Sequence, residues 1–176
     1  MEKKYKLTDD IININCKTLH RIEALKDFGN VKKGDKGGFI EKEDNLSQSY
    51  DCWVYGEAVV CDDAVVSDNA KVSGNAKIYD NVKIYDNAQV RDNAIVFGNA
   101  VICDNARVFG NPRIYGNAIV CGDAIVCGDA AISVKAEVCG KAIVCGEAIV
   151  SDNAVVCGNA IVSEYAEVYG NMKICN

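Results

Sequence analysis

One proline, one histidine, one tryptophan and two threonines stand among 176 residues. Each shortage removes a class of chemistry. A lone histidine, His20, cannot supply a three-imidazole zinc site, and everything beyond it lacks the side chain best suited to proton transfer near neutral pH. Thr8 and Thr18 are too few to line a surface with threonine ladders. No apolar run approaches the ~20 residues of a membrane span, and MEKKYKLTDD lacks the apolar stretch of a signal peptide. A cytoplasmic location is therefore expected, with no membrane partner and ten cysteines kept reduced. The net charge of −6 comes entirely from residues 53–176, which disfavours a nucleic acid polymer as partner.

What remains is one six-residue unit, repeated without insertion from Trp53: WVYGEA, VVCDDA, VVSDNA, KVSGNA, and onward to the partial KICN. Twenty full hexads end at Met172; the second position is always Val or Ile, and the sixth is Ala in seventeen of them. Position four is Gly or Asp in eighteen, with Val134 and Glu164 the exceptions. Gly and Asp-Asn at every sixth residue would break a helix repeatedly. Ala-x-Val-x alternates as a half-buried strand should, and the following pair tolerates the left-handed backbone of a turn. Four-residue strands with identical turns suit a hairpin meander poorly and a parallel β-helix well, since each strand then meets a copy of itself one coil away.

These Ala-x-[Val/Ile]-x-Gly-Asn units resemble the hexapeptide-repeat proteins, in particular a bacterial and phage subgroup that carries an acyltransferase label. Its short amino-terminal region is similar to LHRIEALKDFGNVKKGDKGGFIEKEDNLSQ here. The resemblance implies an all-β, single-stranded, left-handed parallel β-helix in which three hexads make a triangular coil. About seven coils at ~4.8 Å each would give a prism roughly 33 Å long. Residues 53–176 then form the repeat, 31–52 an irregular first coil and 1–30 a small cap over one open end. In the cap, KYKLT and IININ read as strands around an Asp9-Asp10 turn, with TLHRIEAL as strand or short helix.

The acyltransferase relatives use a histidine base beside coenzyme A, and the carbonic-anhydrase relatives use three histidines on zinc. The inventory opposes both, so no catalytic, metal or cofactor residue is assigned. Corner aspartates such as Asp62, Asp80 and Asp104 read as turn formers rather than calcium ligands, because the calcium-binding nonapeptide with its paired glycines is absent. Corner asparagines such as Asn69, Asn87 and Asn105 should stack and share side-chain hydrogen bonds.

Outward positions carry the remaining information. Position three on one face reads Cys103, Cys121, Cys139, Cys157, Cys175, with Cys127 and Cys145 on a second. In-register side chains of this kind point the same way rather than at each other, so free thiols are expected. Position one changes from Lys and Arg to Ile119, Ile125, Ile143, Val155 and Ile161, and sixteen outward positions from 119 to 163 contain one charge, Glu137. Ile119, Cys121, Ile125, Cys127, Cys139, Ile143, Cys145, Val155, Cys157 and Ile161 are thus expected to form an oligomer interface. A third face sets Tyr79, Phe97 and Tyr115 beside Lys77 and Arg113, a mix suited to a small planar or anionic ligand. The expected function is a non-catalytic homo-oligomeric scaffold or binding protein, a trimer before a dimer. The alternatives are an acyltransferase acting on a coenzyme A thioester and a phage-type protein that interferes with a host pathway.

Overall fold

Every full hexad forms a short strand followed by a turn, two residues long in all but Val155–Cys157, and the strands stack into a parallel β-solenoid. The computed structural model describes residues 2–176, with no α-helix among them and one 3-10 turn, Glu43–Asn45. Residues eighteen apart pair in register: Gln89 with Arg107, Ile95 with Arg113, Val101 with Ile119. Backbone N–H groups at positions one, three and five donate one coil onward, as Ile125 to Ala142 O at 2.9 Å and Asp129 to Gly146 O at 2.8 Å. Because every strand repeats the same bond pattern, one register serves the whole repeat.

Position-two side chains from Val54 to Val156, and every position-six alanine from Ala58 to Ala160, are fully buried. Each Val or Ile removed from water in this way stabilises by about 1.5–3 kcal/mol. The interior is narrow, so a branched side chain facing a methyl group fills it without voids. Outside, the corner amides form the expected ladders. Asn69 donates to Asn87 and Asn87 to Asn105, both at 3.3 Å, and Asn105 donates to Asp123 at 3.0 Å.

Three faces result. Two are seven-stranded sheets; the third has ten strands, seven from the repeat and three from the amino-terminal region. The first sheet carries Cys103 through Cys175 and is the thiol face; the second carries Ile125, Ile143 and Ile161 and is the isoleucine face. The third is the capped face.

The cap consists of β1 (Tyr5–Ile14), β2 (Lys17–Ala24) and β3 (Lys36–Ile40). β1 and β2 are an antiparallel hairpin, β2 lies antiparallel to β3, and β3 runs parallel to the first repeat strand of its face, Phe39 opposite Val59. The hairpin turns at Asn15 and Cys16 (φ 49° and 64°), not at Asp9-Asp10. A two-residue turn with both residues left-handed matches the twist of its strands. Asp9-Asp10 instead occupies a bulge between Leu7 and Ile11, pinned by Arg21 Nε donating to Asp10 at 2.7 Å. TLHRIEA is strand throughout.

Ile40 meets Val60 and Leu46 meets Val66, a separation of twenty residues instead of eighteen. Residues 47–52 absorb the difference, with Tyr50 left-handed (φ 57°). Lys4 is buried beneath this loop. Its ammonium donates to the carbonyls of Cys52 at 2.9 Å, Tyr50 at 3.3 Å and Ser49 at 3.4 Å. Trp53 closes the same end of the core, edge-on to Tyr5 and Phe28 with centroids 6.1 and 5.3 Å away. No helix is long and apolar enough to cross a membrane.

Candidate functional site

The parallel register lays the sequence-derived candidates out in two groups. Ile119, Cys121, Cys139, Val155 and Cys157 share the thiol face, and Ile125, Cys127, Ile143, Cys145 and Ile161 share the isoleucine face. All ten are exposed or half-buried. Ile119 is 39% and Ile161 64% accessible, values a sheet face keeps only when nothing covers it.

Four of the thiols on these faces are held toward their protonated form. Burial pushes Cys103, Cys127 and Cys139 up from the ordinary thiol value. Burial, reinforced by the neighbouring Cys103 and Cys139, raises Cys121 to about 12. Burial thus disfavours the thiolate, the nucleophilic form, at these four positions. One expectation is corrected here: Cys157 and Cys175 are joined as a disulfide, with Cα atoms 4.5 Å apart. Val155–Cys157 and its paired strand Lys173–Cys175 each run to three residues, so Cys157 and Cys175 stand directly opposite each other in register. Cys103, Cys121 and Cys139 remain free.

Among the described residues, Asp86, Cys103 and Asp104 form the one close group of metal-type donors. Its carboxylates already serve the corner: Asp86 accepts the N–H of Asp104 at 3.3 Å, and Asp104 accepts that of Gly122 at 2.9 Å. Asp104 is itself left-handed (φ 58°), so the residue forms the turn and ties it to the next coil.

His20 lies on β2 opposite Ile40, with its Nδ1 3.0 Å from the Thr8 carbonyl at the bulge. The contact fixes the ring within the cap, and no carboxylate hydrogen-bonds to it among the described residues.

The aromatic column of the capped face is continuous. Tyr79 stacks on Phe97 at 5.2 Å with 9° between planes, and Phe97 on Tyr115 at 5.0 Å with 5°. Lys77 and Arg113 flank the column on the exposed neighbouring positions. Sequence reasoning missed what sits above it. The hairpin tip folds over the top of this face, with Ile14, like Tyr79, packed on the cluster of Leu19, Phe39, Val59 and Cys61, and Lys17 bonded to Asp62. A cavity of 520 Å³ lies between the tip and the column. The turn at Asn15-Cys16 was the available signal, since it alone lets the tip reach that far.

The family described as "YdcK Beta solenoid repeat" matches residues 113–130, one coil of the repeat. No curated protein matches the chain. The chain is thus similar, over that coil, to a known β-solenoid repeat.

Proposed function

We propose that the protein is a β-solenoid scaffold that works as a homo-oligomer, joined through the thiol and isoleucine faces of its carboxy-terminal half. The carrying observation is the run of sixteen outward positions from 119 to 163 with one charge, Glu137, in a protein that is one-quarter charged overall. Flat apolar faces of this extent are rare on the surface of a monomer. Two adjacent faces of a triangular prism meet at a common edge, so each copy can present one face to each of two neighbours. Such a contact closes into a ring of three. A cytoplasmic setting belongs to the same reading.

A double substitution on one face tests it. Ile125→Asp with Ile143→Asp places two unpaired carboxylates at the centre of the isoleucine face, where burial without a partner costs several kcal/mol per ion. Light scattering should show dissociation to single chains with the strand content unchanged by circular dichroism. An oligomer that survives the double substitution refutes the interface.

A further inference from the structure

The aromatic ladder ends at Tyr79 because the next residue up its column is Cys61, a side chain too short to continue it. Phe97 covers one face of the Tyr79 ring, and Tyr79 also lines the cavity under the hairpin tip. The cavity's 520 Å³ lies within the range of small-molecule sites. Ile14, Val59 and Ile95 supply apolar walls, and Lys17, Lys77, Asp62 and Asp80 bring two charges of each sign.

These charges are not equivalent. Lys17 is committed to Asp62 and, at 3.9 Å, to Glu41. Asp80 accepts the Gly98 N–H at 2.9 Å through Oδ2 alone, so Oδ1 makes no hydrogen bond among the described residues. Lys77 forms no ion pair among those residues. The cavity therefore offers a ring face, a carboxylate oxygen for an N–H edge, and one unpaired ammonium.

We propose that this cavity binds a planar nitrogen heterocycle bearing an anionic group, of the nucleotide class, stacked on Tyr79 as the next ring of the ladder. A ring edge with N–H donors meets Asp80, and the anionic group reaches Lys77. Guanine fits the first requirement because its ring edge carries an N–H that can donate to Asp80 Oδ1. The site lies on the capped face, which the proposed association does not use, so each reading can fail without the other.

The test is calorimetric titration of the full chain with guanosine 5′-monophosphate, guanosine and inorganic phosphate. The expected result is one nucleotide per chain, guanosine weaker, and phosphate alone not bound. Tyr79→Ala should weaken nucleotide binding at least about tenfold, the scale of one lost base–aromatic stack. Cys61→Phe fills the slot with a protein ring and should abolish binding while thermal stability holds or rises. Absence of nucleotide binding at millimolar concentration overturns the proposal. So does phosphate bound as tightly as the nucleotide, or affinity unchanged in Cys61→Phe.

Discussion

Val134 occupies the corner one coil beyond Gly116 and adopts the same left-handed backbone, φ 62° against 72°. The turn there is set by its neighbours, since the Asn117 N–H donates to the Val134 carbonyl at 2.6 Å, as the Asn99 N–H does to the Gly116 carbonyl one coil earlier. Valine follows because the surrounding register leaves no alternative. A branched residue in this conformation costs roughly 1–2 kcal/mol, and its side chain, 46% accessible, recovers little by burial. Val134→Gly should therefore stabilise the solenoid, raising the melting temperature by about 2–4 °C for each kcal/mol gained. A lower melting temperature would show that the valine side chain contributes more than its backbone costs.

The amide ladder supports a second expectation. Asn87 both accepts from Asn69 and donates to Asn105, so Asn87→Ala removes two bonds at once. Exposed bonds of this type contribute about 0.5–1.5 kcal/mol each. Denaturant unfolding should show a loss of this order, larger than that of Asn171→Ala, which ends its column with one such bond.

Thiol titration gives the pH dependence. Cys121 titrates near 12 in the folded chain against an ordinary 9, and burial raises Cys103, Cys127 and Cys139 in the same direction. The fold thus favours the protonated form. That preference is fully present below pH 9 and is lost as pH climbs through the folded values. Stability should fall between pH 9 and 12, and iodoacetamide at neutral pH should modify the exposed Cys16 well before Cys121. Peptide mass spectrometry after timed labelling measures the order directly; rapid labelling of Cys121 would contradict the neutral ladder.

Lys4 makes the cap testable by fluorescence. Three loop carbonyls depend on its ammonium, and its burial holds its pKa below the ordinary lysine value. Lys4→Ala orphans those carbonyls and opens a space beside Phe28 and Trp53, at about 1–3 kcal/mol for the unsatisfied groups. Emission from Trp53, the sole tryptophan, should shift to longer wavelength while strand content persists.

The repeat was legible because its information is local and redundant. A fixed hexad with Val or Ile at position two and Ala at position six determines what lies inside, and Asn at position five determines the ladders. The cap was less legible because it contains competing turn signals. Asp9-Asp10 and Asn15-Cys16 both carry turn-forming residues, and the choice rests on Ile22 pairing with Leu7 and on the Arg21–Asp10 contact, which join distant segments. Lys4 was hidden for a related reason. Nothing in its neighbours marks it as buried, since its acceptors lie more than forty residues away. The Cys157–Cys175 disulfide joins two strands that each run to three residues, a length that the hexad does not encode. The ten outward residues assigned to association, and the aromatic column with Lys77 and Arg113, were placed by register alone. The cavity above that column required the hairpin.

Native mass spectrometry of the intact chain tests the scaffold reading most directly. Association through two apolar faces predicts a multiple of the 18.9 kDa chain mass at micromolar concentration, threefold if the ring of three forms. A single species at 18.9 kDa would leave the isoleucine and thiol faces bare in water and contradict the account.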